Sequence, residues 1–173
     1  MDEIEVKILD INRKKVEERL VSLGAEKVFD GLIHGYFYDS PDSRVRRNKD
    51  TFRLRMVGDK SFITLKKFVS DEGAKIRREY EVEVSDFDSA KSIIEGLGFS
   101  AWMEMRKRRT SYVLGDVHFE LDKHIDQYSF VPEFLEIESK DVGTLYKYVG
   151  LLGYGKEDCR PWTIVEVARH YRP

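Results

Sequence analysis

The chain has 173 residues, 36% of them charged, and its 30 basic and 32 acidic side chains leave a net charge of -2. That balance excludes the general electrostatic case for nucleic-acid binding, and the length fits one compact domain over residues 1–173 while being short for two. Cys159 stands alone, which excludes a disulfide framework and a cysteine-rich zinc site, and no apolar run approaches the roughly 18 residues of a membrane span. A cytoplasmic protein without leader peptide or membrane partner is therefore expected. His34, His118, His124 and His170 form no metal-ligand spacing.

Residues 3–9 alternate apolar and polar side chains as a strand does, and Asn12 can cap a helix that places Val16, Leu20 and Leu23 on one face until Gly24 stops it. Residues 33–39, 51–57 and 61–68 are predicted as strands, separated by polar turns around Pro41 to Asn48 and at Gly58-Asp59-Lys60. A strand over 76–84 leads to a helix capped near Ser85 or Asp86, with Ala90, Ile93, Ile94 and Leu97 inward and Gly98 at its end. Residues 101–114 and 116–123 form a hairpin turned at Gly115-Asp116. Residues 133–139 precede a helix from about Asp141, with Leu145, Val149 and Leu152 on one face and Gly153 at its end. A short strand or helix is expected between Trp162 and Tyr171.

A loose repeat runs through these units. Glu81-Val82-Glu83 stands before Asp86 and Leu97-Gly98 at the separations by which Glu136-Ile137-Glu138 stands before Asp141 and Leu152-Gly153, and Glu3-Ile4-Glu5 ahead of Leu23-Gly24 is a third copy.

The strands share one further property. In Glu3-Ile4-Glu5-Val6-Lys7 the charges fall on every second residue and so on one face. The same holds for Arg53 and Arg55, for Arg77, Glu79, Glu81 and Glu83, for Lys107 and Arg109, for Glu120 and Asp122, and for Glu136 and Glu138, with Lys66 similarly placed. For any one strand a solvated face explains this. Over many strands it does not, because Ser, Thr or Gln would serve water equally well. Clustered carboxylates call for a cation and clustered Arg and Lys for an anion. A hard divalent ion with a phosphate chain meets both demands, and carboxylates without Cys or His partners suit Mg²⁺ or Mn²⁺.

With Arg53-Leu54-Arg55, Thr64-Leu65-Lys66, the acidic strand Glu79 to Glu83, Lys107-Arg108-Arg109 ahead of Tyr112, Leu121-Asp122 and Phe134-Leu135-Glu136-Ile137-Glu138 following the opening E-x-E-x-K in order, the chain resembles CYTH-domain proteins of the triphosphate tunnel metalloenzyme superfamily. That group holds class IV adenylyl cyclases and thiamine triphosphatases. The resemblance implies an α+β fold, an eight-stranded antiparallel β-barrel or tunnel with charged faces inward and helices packed outside. It implies metal held by Glu3, Glu5, Glu136 and Glu138, aided by Asp122 and one or more of Glu79 and Glu81. Lys7, Arg53, Arg55, Lys66, Lys107 and Arg109 would hold the triphosphate, with Glu3, Glu5 and Lys7 the catalytic set. Arg77, Glu83 and Glu120 are expected as tunnel ion pairs.

The implied substrate is a small triphosphate: ATP cyclised to cyclic AMP and pyrophosphate, or thiamine triphosphate, a nucleoside triphosphate or tripolyphosphate hydrolysed. The alternative is a non-catalytic nucleotide or polyphosphate binding module, and a monomer or homodimer fits either. Three departures from the family pattern stand out: Gly35 where relatives often carry a polar residue, a longer loop from His124 to Pro132 that could cover a tunnel mouth, and Arg160-Pro161-Trp162 where cyclases tend to show Arg-Ser-Tyr. Trp162, Tyr36 and Tyr38 are candidates to stack on a substrate ring, and Lys156 to reach a phosphate.

Overall fold

The structure is a computed structural model and describes residues 2–172. Its elements in chain order are β1 (Asp2–Ile8), α1 (Arg13–Ser22), β2 (Glu26–Asp39), α2 (Arg44–Arg47), β3 (Thr51–Val57), β4 (Lys60–Ser70), β5 (Lys75–Val84), α3 (Phe87–Gly96), β6 (Ser100–Leu114), β7 (Val117–His124), β8 (Phe134–Ser139), α4 (Val142–Leu151), β9 (Cys159–Arg160) and α5 (Ile164–Tyr171). The strands pair antiparallel in the order β5-β4-β3-β2-β6-β7-β8-β1, and β1 returns to β5 through Asp2↔Arg78 to Glu5↔Lys75. An eight-stranded barrel is thereby closed. Further along that β1 edge, Lys7 and Ile8 are paired by the two-residue β9, which shortens the open backbone edge.

The repeat seen in the sequence is a repeat of structure. Asn12, Asp86 and Asp141 each cap a helix by accepting the backbone N–H three residues on. Gly24, Gly98 and Gly153 follow the three helix ends with φ of 87°, 89° and 89°, the left-handed turn that glycine adopts without strain. Each unit thus turns a strand back into a helix lying on the outside of the barrel.

The apolar faces of the strands point outward, beneath these helices. Val6, Ile8, Phe119, Leu121, Leu135 and Ile137 pack with Val16 and Leu20 of α1 and Leu145 and Val149 of α4. Tyr38 and Leu54 pack under Ala90 and Ile94 of α3. Each fully buried Leu, Ile or Phe contributes roughly 1.5–3 kcal/mol, so this outer jacket carries the hydrophobic stabilisation and leaves the barrel interior free for charge.

Several expectations need correction. On α3 only the Ala90–Ile94 row faces the barrel; Ile93 and Leu97 are 61% and 73% exposed, one helical position off that row. β2 begins seven residues earlier than expected, because its first half pairs only with β6, gains little burial, and so shows no alternation. The segment over 44–47 is a single helical turn held by Asp39, which accepts the Val45 N–H at 2.9 Å and the Arg46 Nε–H at 2.7 Å. The final element takes the helical of its two expected forms, and Val131 of the loop after β7 and Phe134 of β8 pack beneath it against Val167 and Ala168. No described helix is long and apolar enough to cross a membrane.

Candidate active site

The inward faces of the strands enclose a cavity of about 460 Å³, and all thirteen residues predicted for the site line it. Period-two alternation in a closed barrel is the whole cause: once the apolar set faces the helices, the charged set has only the lumen. Eight carboxylates and seven lysine or arginine side chains meet there.

They are organised into pairs. Lys7 Nζ lies 3.0 Å from Glu5 and 2.6 Å from Glu136. Lys66 bridges Glu3 and Glu79, the latter at 3.6 Å. Arg55 donates to Glu81 at 2.9 Å, and Thr64 donates to the same carboxylate at 2.6 Å. Asp122, fully buried, accepts Lys107 Nζ at 2.6 Å and a bidentate grip from Arg109, Nε at 2.7 Å and Nη2 at 2.6 Å.

The compensation is uneven. Burial raises the affinity of the Asp122 carboxyl for its proton, yet Arg109 and Lys107 outweigh burial and hold its pKa below the ordinary range. For Glu138 burial acts in the same direction, and Glu3, Glu136 and Glu5 add to it and outweigh the opposing influence of Lys66, so its pKa stands well above the ordinary range. No ion pair reaches Glu138 among the described residues, unlike Glu3, Glu5 and Glu136. On the cationic side, burial and neighbouring Arg55 bring the Arg53 guanidinium down to about 10, and burial with neighbouring Arg109 brings Lys107 down to about 8. The Nε–H groups of Arg53 and Arg55 are buried with no acceptor.

Two carboxylate triplets converge closely enough to share one ion, with ligand oxygens within 4.8 Å of one another: Glu3, Glu5 and Glu138, and Glu120, Glu136 and Glu138. Glu138, the least compensated acid, belongs to both. A hard divalent cation fits this donor set of oxygens and the excess of negative charge around Glu138. Asp122, Glu79 and Glu81 lie outside the triplets.

Glu120 is on the wall, in an ion pair with Arg109 as expected, and also contributes to a triplet. Other residues fall elsewhere than expected. Arg77 pairs with Asp71 at 2.7 Å in a separate cleft at the barrel end, and Glu83 meets Lys60 at 3.0 Å outside the lumen. Tyr36 and Tyr38 pack on the outer face beneath α3, Trp162 packs on His170 of α5, and Lys156 lies over the Tyr146 ring; none of the four lines the cavity. The loop over 125–133 does not line it either; Thr163 and Ile164 at the start of α5 do. Lys75 was missed. It sits opposite Glu5 in register and donates to it at 2.6 Å. Its period with Arg77 carried the signal, but the predicted strand began one residue too late. Gly35 has a steric reason: a Cβ there would stand 2.8 Å from the Leu54 carbonyl oxygen and 3.0 Å from Arg55 Cβ.

Fold and cavity together define a closed antiparallel barrel with a buried lumen of mixed charge. A family model for the CYTH domain matches residues 1–143, and the chain belongs to that family. A Methanocaldococcus jannaschii protein named "putative adenylate cyclase" is 28% identical over 138 residues, 80% of this chain and 77% of its own length. The solved structure of a Pyrococcus horikoshii protein is 26% identical with a TM-score of 0.79, covering 95% of this chain and 98% of its own. A Hippeastrum protein, titled a "putative adenylyl cyclase" that "reveals a dominant triphosphatase activity", shares the fold at 15% identity and a TM-score of 0.63, covering 98% of this chain and 95% of its own.

Proposed function

We propose that the chain is a divalent-metal-dependent enzyme that cleaves triphosphates within the barrel. The observation that carries this reading is the double shortfall in one cavity: Glu138 surrounded by acids without an ion pair, and Arg53 and Arg55 with buried, unanswered N–H groups. A divalent cation answers the first and a phosphate chain the second. The names of the Methanocaldococcus and Hippeastrum relatives support the same substrate class.

Glu3, Glu5 and Glu138, with Glu120 and Glu136, would hold Mg²⁺ or Mn²⁺. When bound, the ion supplies neutralisation of the charge that builds on the phosphate oxygens. The chain's own residues do the rest. Arg53, Arg55 and Arg109 present planar N–H forks to phosphate oxygens, and Lys66, Lys75 and Lys107 add point charges. Lys7, held between Glu5 and Glu136, keeps those carboxylates ionised and oriented. Little covalent work is required, because phosphoryl and nucleotidyl transfer are accelerated mainly by positioning and charge stabilisation. Water as nucleophile makes the enzyme a triphosphatase; the ribose 3′-hydroxyl of ATP makes it a cyclase.

The test is to incubate purified protein with ATP, thiamine triphosphate and tripolyphosphate in Mg²⁺ or Mn²⁺ and resolve the products. Phosphate release marks hydrolysis, and pyrophosphate with cyclic nucleotide marks cyclisation. Glu3→Gln and Glu5→Gln should each lower turnover by roughly 10²-fold or more while the fold is kept. No product from any substrate, or full activity in both variants, would overturn the proposal.

A further inference from the structure

A second cleft, of about 300 Å³, opens onto one end of the tunnel between α5 and the starts of β3 and β6. It shares the wall residues Phe37, Thr51, Lys75, Thr163 and Ile164 with the charged cavity, so the two spaces adjoin. Its character is different. Trp102 lies in its wall with 39% of its surface exposed, and Phe37 meets that indole edge-on at 6.3 Å.

The backbone aims Trp102 there. Phe37 pairs with Met103 and Tyr38 with Ala101, so Trp102 is an extra residue without a partner on β2. Such a β-bulge breaks the alternation and re-aims a side chain, and here consecutive residues Trp102 and Met103 both face the cleft. One face of the indole is fixed by the Arg46 guanidinium, 4.9 Å from the ring centroid, and Arg46 is itself anchored by the buried Asp39. A bulge, a cation and a buried carboxylate therefore converge on holding one exposed aromatic ring at the mouth of an anion-binding tunnel. The other mouth, beyond the far end of β6, is rimmed chiefly by carboxylates such as Asp2, Glu79 and Asp116 and does not suit an entering anion.

We propose that this cleft seats the planar heteroaromatic ring of an organic triphosphate, stacked on Trp102, so that the substrate is a ring-bearing triphosphate such as a nucleotide and not a bare phosphate chain; this rests on the triphosphate reading above. The volume matches a small-ligand subsite, and stacking on an aromatic side chain tolerates any planar base.

Calorimetric titration of the purified chain in Mg²⁺ with ATP, thiamine triphosphate and tripolyphosphate tests it. Trp102→Ala should weaken ATP or thiamine triphosphate about tenfold, the ligand affected naming the ring, and leave tripolyphosphate within about twofold. Trp102→Phe should restore the lost affinity. In a Trp162→Phe background, the ring-bearing ligand should protect Trp102 fluorescence from acrylamide quenching and tripolyphosphate should not. Unchanged affinity for both organic ligands, an equal loss for all three, or quenching protection by tripolyphosphate would overturn the subsite while leaving the tunnel proposal intact. Failure of the unaltered chain to bind any of the three would overturn both.

Discussion

Asp122 on β7 and Glu138 on β8 both turn into the lumen from neighbouring strands, yet they end on opposite sides of the ordinary carboxylate range. Burial acts on both alike. What differs is the company: Lys107 and Arg109 at hydrogen-bond distance for Asp122, and the carboxylates Glu3, Glu136 and Glu5 around Glu138. The chain itself compensates Asp122 in full, whereas the carboxylates around Glu138 keep an excess of negative charge that a cation would answer. Position on the inner face therefore does not by itself set the state of a carboxylate; the balance of neighbouring charge does.

The sharpest way to break this contrast is Asp122→Ala. Removing the shared acceptor leaves Lys107 and Arg109 facing each other in a buried site, and breaking a buried pair costs roughly 3–5 kcal/mol; urea denaturation should show it with or without metal. Glu138→Gln should act on binding instead, lowering Mn²⁺ affinity by at least about tenfold in calorimetry, with metal-free stability unchanged or slightly raised. A large loss of metal-free stability in Glu138→Gln would remove the distinction.

A smaller effect lies in pH. Because the Glu138 pKa is raised on folding, its contribution to stability is present below its ordinary value of 4.5 and is lost as pH rises through the raised one. Asp122, whose pKa is lowered, has the reverse sign: its contribution is present above its ordinary 3.8 and is lost as pH falls through the lowered value. The metal-free chain should therefore lose stability on the way from acid toward neutral pH at the Glu138 site. Glu138→Gln should flatten that decline in thermal scans, and saturating Mn²⁺ should reverse it.

The barrel was legible in the sequence wherever a strand is buried on its outer face and charged on its inner one, as in β1, β7 and β8, because both faces then report the same period. It was illegible where that double constraint lapses. The first half of β2 has one neighbour and little burial, and α2 is one turn held by a distant carboxylate. Lys75 was lost to a strand boundary, and while Glu120 forms the ion pair expected of it, its place beside Glu136 and Glu138 exists only once the barrel closes β7 against β8. Trp102 was overlooked for a different reason. By strict alternation it belongs with Glu104 and Arg106 on the outside, and the bulge sets it in the wall of the end cleft beside Phe37. The aromatic residues that attracted attention instead, Tyr36, Tyr38 and Trp162, serve packing.

Phosphorus NMR of tripolyphosphate with the purified chain and substoichiometric Mn²⁺ addresses the central claim directly, since the paramagnetic ion broadens only nuclei held beside it. Strong broadening of the phosphate resonances beyond that given by free Mn²⁺, abolished in Glu138→Gln, is the predicted result. Bound tripolyphosphate whose lines are unaffected by Mn²⁺ would contradict a lumen that holds cation and phosphate chain together.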